Sequence, residues 1–332
     1  MKILIIQTAF LGDVVLATPL IEKLKARFQD CELDLMVRKG NEGILKDHPK
    51  LRRVLTFDKK QKYNELFRLI RELRKQRYDY VINVQRFFSS GLLTVLSGGK
   101  VKIGFDKNPL SFFYSIRRPH HISTESALHE VERNISLLEG LTDLEPCRPK
   151  LYPSSQEEQA VPRNYEYVCI APTSRWFTKQ FPLEKWCELI KKLPATCRVH
   201  LIGGPDDVEI CEQIRAATDP DRVVVSAGKL SLLASVALIK HAQVTFTNDS
   251  APLHFASAVN APVVGIFCST VPEFGFGPLS ERSVVVETSH DLDCRPCGLH
   301  GKKACPEGHF KCASIEIEAI LAKVDSLALR EN

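Results

Sequence analysis

Three stretches of this chain place reactive side chains where an apolar run gives way to a helical pattern. The first is Gln7-Thr8-Ala9-Phe10-Leu11-Gly12-Asp13-Val14. Gly12 permits a tight turn, and Asp13 follows it at the start of a helix. There the carboxylate can accept free backbone N–H groups as an N-cap. It can also stand out from the helix start and take a proton from an attacking hydroxyl, and the spacing leaves both roles open. The second stretch runs from Ala171 to Pro182 and contains Thr173, Ser174, Arg175 and Lys179. Hydroxyls, amides and one or two cations between a strand and a helix are what a diphosphate requires. The third, Asn248-Asp249-Ser250-Ala251-Pro252-Leu253-His254, also opens a helix. Ser250 and the first helical amides can hold phosphate oxygens, and His254 lies one turn along.

A fourth group is Cys294, Cys297, Cys305 and Cys312, four of the eleven cysteines. One C-x-x-C pair followed by two more thiols, with His300 and His309 nearby, can bind zinc or an iron–sulfur cluster. The irregular spacing is equally that of reduced packed thiols or occasional disulfides. Either way the expectation is a structural element away from catalysis. The seven other cysteines are scattered singly, mostly in apolar runs where the thiol packs as a small core group.

The elements that must position these groups alternate as short apolar runs and amphipathic segments, the pattern of βα units on a parallel sheet. Strands are expected at 2–7, 32–37, 54–57, 80–84 and 101–105, with helices near 14–28, 63–76 and 88–96 and a further helix around Val131 and Leu138. Pro19 should kink or split the first of these helices. The pattern lapses into a linker near 150–164. It then restarts with strands at 167–171, 198–202, 223–226, 244–247, 263–267 and 283–286, separated by helices. The 332 residues thus read as two doubly wound α/β domains, 1–155 and 165–332, with ligands expected in a central cleft at strand C-termini.

Composition narrows the class. Hydrophobic residues make up 44% and charged residues 26%, which is that of a folded globular protein. The longest apolar runs are far shorter than the roughly 20 residues that cross a bilayer. The N-terminus reads as a first strand rather than a leader, so a cytoplasmic protein is expected. The net charge is +5. Basic residues gather at 46–53, 59–62 and 68–77, suiting either an anionic partner such as a phosphorylated lipid head group or a solvated helix face. No nucleic-acid-binding motif accompanies them.

The stretches 11–20, 78–85, 129–133, 179–182 and 248–254, in that order along the chain, resemble the ADP-heptose:lipopolysaccharide heptosyltransferase family, and most of all its heptosyltransferase II branch. That resemblance implies an α/β GT-B fold with two Rossmann-like domains, the first for the acceptor and the second for the nucleotide sugar. It implies inversion at the anomeric carbon with no cofactor or metal needed for catalysis. The implied partners are an ADP-heptose donor and an inner-core lipopolysaccharide acceptor, a Kdo- or heptose-bearing lipid A, with peripheral contact at the inner membrane's cytoplasmic face. Asp13 matches the family's general base, and Thr173, Ser174 and Lys179 match residues near the donor phosphates. Asp249, Ser250 and His254 match a second donor loop, and Asp206 falls near a carboxylate that contacts the ribose. The chain departs from the pattern in the aromatic residues between Ser174 and Lys179 and in Ala251-Pro252 after Asp-Ser. Three other readings stay open: a transferase of the same fold using another nucleotide sugar, a non-catalytic sugar-nucleotide or lipid-head-group binder, and a metal or redox protein built around the cysteine cluster. The second leaves a base at Asp13 without a purpose.

Overall fold

The computed structural model describes residues 1–125 and 128–328. The chain forms two compact units, one of Met1–His121 with Leu128–Tyr152, the other of the short segment from Ile122 together with the chain from Pro153 onward.

The first unit is built on six parallel strands: β1 (Lys2–Gln7), β2 (Glu32–Arg38), β3 (Arg53–Phe57), β4 (Tyr80–Asn83), β5 (Val101–Phe105) and β6 (Ile116–Arg118). Their order is β3-β2-β1-β4-β5-β6. Ile3 to Ile6 are fully buried because β1 is central, with Ile5 opposite Leu35 on one side and Ile82 on the other. A strand covered on both faces reads as a continuous apolar run. The helices are α1 (Leu11–Leu16), α2 (Thr18–Arg27), α3 (Lys62–Gln76), α4 (Phe88–Leu96) and α5 (Glu130–Ser136). Pro19 splits the first helical stretch as expected and sits in the opening turn of α2, where its missing N–H costs nothing.

The first basic cluster is absorbed by the fold. Arg52 and Arg53 both bond Asp34, fully buried on β2, which also accepts the Tyr78 hydroxyl at 2.5 Å. Burial pushes the Asp34 carboxyl up, but the hydrogen bonds from Arg52, Tyr78 and Arg53 outweigh it and hold it below the usual carboxylate range.

The second unit repeats the design with β7 (Tyr167–Ala171), β8 (Arg198–Leu201), β9 (Val223–Val225), β10 (Thr245–Asn248), β11 (Val263–Phe267) and β12 (Ser283–Glu287), in the order β12-β11-β10-β7-β8-β9. Its helices are α6 (Ser155–Gln159), α7 (Leu183–Lys192), α8 (Val208–Ala216), α9 (Leu232–His241), α10 (Ala251–Val259) and α11 (Ile317–Ala328). Phe181 and Trp186 meet edge to face, 5.2 Å between centroids, in a core shared with Phe246 and Ile266. Strand order reverses between β7 and β10, and a doubly wound sheet offers its ligand crevice at such a switch point.

Two local expectations are corrected. The linker contains α6, because Ser154 and Glu157 form a capping box, a signature that outweighs the weak apolar period. β6 was not expected, since three residues are too few to show alternation.

Candidate functional site at the strand ends

Asp13 occupies the third position of α1, and Phe10 is the N-cap. The N-cap expectation is therefore corrected: the Asp13 carboxylate reaches back to accept the Phe10 N–H at 3.1 Å. Gly12 and Asp13 are half-buried at the C-terminal end of β1. Gln7, which ends that strand, is buried and receives a side-chain bond from Gln85 in the loop after β4.

In the second unit the switch point brings the expected donor residues together. After β7 the chain runs through Thr173 and Ser174, both half-buried, to a tight turn at Phe177–Lys179. After β10, Asp249 leads into α10, whose N-cap is Ser250. Lys179 Nζ lies 2.6 Å from Asp249 Oδ2, with only 13% and 7% of their side chains exposed. The same carboxylate oxygen accepts the Thr270 hydroxyl at 2.7 Å, so the loop after β11 joins the site. Ser250 makes no side-chain capping bond. Its hydroxyl meets Thr247 Oγ1 at 3.3 Å; Pro252 brings no N–H to the start of α10 and the Leu253 N–H donates to Ser250 O at 3.1 Å, so Ala251 supplies the amide that can meet an anion there. His254 is buried one turn along α10. Asp206 stands apart from this group, exposed in the turn Pro205–Asp207 after β8, where its neighbour Asp207 caps Gly204 N at 2.7 Å.

Sequence reasoning quoted Asn248 but gave it no role. Fully buried at the end of β10, it accepts Phe181 N–H at 2.9 Å and donates to Pro172 O at 2.9 Å. One side chain thus pins both ends of the loop that carries Thr173, Ser174 and Lys179. Its signal was its place, a polar residue closing an apolar strand beside the switch point.

The cysteine segment is not remote from the donor residues, and that expectation is corrected. Lys302 O accepts Thr178 N at 3.1 Å and Lys302 N donates to Thr178 Oγ1 at 2.8 Å. Cys297 N bonds Ser269 O at 2.7 Å, and Arg295 donates to the carbonyls of Cys268 and Thr270. Residues 295–302 therefore lie as a strap against the turn that presents Lys179. Cys294, Cys297, Cys305, Cys312 and His309 line one pocket of about 200 Å³. Burial, and then the neighbouring thiols of Cys305 and Cys294, push the Cys312 thiol up to about 11. Among the described residues no three His, Cys, Asp or Glu side chains are grouped to hold a metal ion, so the expected structural zinc finds no support in the geometry.

No helix among the described residues is long and apolar enough to cross a membrane.

The arrangement has relatives. A family model for glycosyltransferase family 9 (heptosyltransferase) matches residues 66–309. Lipopolysaccharide heptosyltransferase 3 of Escherichia coli is 30% identical over 79% of this chain and 82% of its own length. The protein of the same description from strain K12 is 29% identical over 85% and 89%. The solved structure of E. coli ADP-heptose lps heptosyltransferase II shares the fold with a TM-score of 0.83, at 24% identity over 100% of this chain and 99% of that one. Both six-stranded sheets are those of the GT-B class. With the matched span including the Lys179 turn, the Asp249 loop and the cysteine strap, the chain belongs to glycosyltransferase family 9, the heptosyltransferases.

Proposed function

We propose that this chain moves a heptose from ADP-heptose to the inner core of lipopolysaccharide, with inversion at the anomeric carbon and without a metal ion. The observation that carries the reading is the pairing of Lys179 with Asp249 beside the open start of α10. Lys179 would supply the cation and Ala251 an amide for the diphosphate, with Thr173, Ser174 and Ser250 adding hydroxyls. His254 would stand behind them on α10, and Asp206 would bond the ribose. The relatives' printed names support a heptose donor carrying ADP and a lipopolysaccharide acceptor.

Asp13 is proposed as the base. The acceptor hydroxyl gives its proton to the Asp13 carboxylate while its oxygen bonds the anomeric carbon. The bond from that carbon to the diphosphate breaks, and its electron pair leaves on the β-phosphate oxygen. Lys179 and the Ala251 amide would then face a charge that grows in the transition state, where fixed donors act most strongly.

Thermal stabilisation by ADP, UDP and GDP, measured in parallel, tests the donor half, since a ligand that binds only the folded state raises the melting temperature. ADP alone should shift it at low concentration. Equal shifts with UDP would favour another nucleotide sugar. Turnover of ADP-heptose should persist in a chelator, and its loss there would end the metal-independent reading.

A further inference from the structure

Arg295 sits between Cys294 and Cys297, with 14% of its side chain exposed. A guanidinium so far from water needs acceptors for its donors, and it has four. Nε donates to Cys268 O at 2.7 Å, while Nη2 donates to Thr270 O at 2.8 Å, to Phe267 O at 3.2 Å and to the Glu287 carboxylate on β12. One rigid fork thus gathers three carbonyls at the end of β11 and in the loop after it.

That loop carries Thr270, which is buried. With its backbone held by Arg295, Thr270 donates its hydroxyl to Asp249 Oδ2 at 2.7 Å. The same carboxylate oxygen lies 2.6 Å from Lys179 Nζ. Arg295, Thr270, Asp249 and Lys179 therefore form one continuous chain of contacts, from the cysteine segment to the ammonium proposed for the diphosphate. A separate set of bonds holds the turn that carries Lys179: Cys297 N donates to Ser269 O at 2.7 Å, and Ser269 Oγ to Thr178 Oγ1 at 3.0 Å. The same segment thus reaches Lys179 by two routes, one to its backbone and one to its charge.

The second route answers a difficulty set by the ion pair. A lysine paired with one carboxylate is neutral as a unit, so a third group draws on the ammonium only as far as the carboxylate's charge is shared with other donors. Thr270 supplies such a donor on the oxygen that Lys179 uses. A bond from a hydroxyl to a charged oxygen is roughly twice as strong as one between neutral groups, and it keeps the carboxylate in one orientation.

We propose that Arg295 and Thr270 are positioning residues of the donor site: the Arg295 fork fixes Thr270, and the Thr270 hydroxyl, by sharing the Asp249 carboxylate, leaves the Lys179 ammonium set for the donor's diphosphate. Arg295 is then the part of the cysteine segment on which the ammonium depends, and the flanking thiols need no chemistry of their own for it. The relay rests on the proposed donor site, which the experiment tests separately.

The test is ADP affinity of the full chain, by calorimetry, in Thr270→Val, Thr270→Ser, Arg295→Lys and Lys179→Ala, and in Lys179→Ala combined with each of the other three. Thr270→Val removes the hydroxyl and should lower affinity about three- to tenfold, as the loss of one hydrogen bond does, whereas Thr270→Ser keeps it and should stay within about twofold of the wild type. Arg295→Lys keeps the charge without the fork and should lower affinity over the same range as the valine variant. Arg295→Gln takes its place if the lysine variant does not fold. Beside Lys179→Ala, neither Thr270→Val nor Arg295→Lys should lower affinity further, because residues acting through one shared partner are not additive. General loosening of the fold would instead lower it equally in both backgrounds. Wild-type affinity in Thr270→Val or in Arg295→Lys would overturn the proposal, and so would losses that persist beside Lys179→Ala. Lys179→Ala that binds ADP as the wild type does would fail the donor site itself, and the relay with it.

Discussion

Lys179 Nζ and Asp249 Oδ2 lie 2.6 Å apart although one ends the turn before α7 and the other opens α10. Strand order reversal makes that meeting possible, because β7 and β10 are neighbours only at the switch point. A diphosphate bound there, as proposed, would meet a cation already oriented and largely out of water. Lys179→Ala should weaken ADP binding by roughly 1.5 to 3 kcal/mol, about ten- to a hundred-fold. Calorimetry reads this directly, and unchanged affinity would remove Lys179 from the site.

The strap predicts a coupling that glycine substitutions can isolate. Gly301 has a φ of +74°, and a Cβ there would stand 3.0 Å from Thr178 Oγ1 and 3.1 Å from Lys179 Cγ. Gly298 has nearly the same backbone, φ +76°, with nothing within 4 Å of its Cβ position. Alanine at either site therefore carries the same left-handed cost, about 1 to 2 kcal/mol. Gly301→Ala alone should also shift the Lys179 turn and lower ADP affinity several-fold. If both variants bind ADP equally, the strap does not position Lys179.

How far the sequence led to this site depends on how local each signal is. Lys179, Asp249, Ser250 and His254 stand in short motifs at strand-to-helix junctions, so residue type and spacing were enough to bring them forward as candidates. The Asn248 clamp and the strap depend on partners 67 and 124 residues away, and no local period encodes such pairings. Asp13 shows the finer limit: a carboxylate near a helix start was legible, whereas its third position depends on where Phe10 turns. The strands of both sheets were legible where they are buried on two faces, and β6, with three residues at a sheet edge, was not.

Acid should weaken the fold through two buried histidines. Burial, with Arg198 adding to it, pushes the His200 imidazole down to about 4 from 6.5. Burial pushes His48 down to about 4 as well. Each ring binds its proton more weakly in the folded chain than in the unfolded one. Their contribution is whole above pH 6.5, falls as the pH drops toward 4, and can reach about 3 kcal/mol each. Urea midpoints at about pH 7 and about pH 5 should fall with acid in the wild type, and by less in His200→Gln. An identical pH slope in that variant would clear His200 of the effect.

The base assignment makes the sharpest demand on the chemistry. Asp13 Oδ2 accepts the Phe10 N–H at 3.1 Å, so one carboxylate oxygen already ties the first turn of α1. Acting as a base requires the acceptor hydroxyl to be held against the Asp13 carboxylate. Asp13→Asn keeps an oxygen to accept the Phe10 N–H and removes the group that takes the proton. Turnover should fall about a hundred- to ten-thousand-fold, with melting temperature and ADP affinity nearly unchanged. Asp13→Ala loses the Phe10 bond as well, and should give up about 1 kcal/mol of stability beyond the Asn variant. If the Asn variant turns over normally, Asp13 does no more than tie the first turn of α1. If both variants lose turnover only in proportion to lost stability, the chemistry lies with another residue.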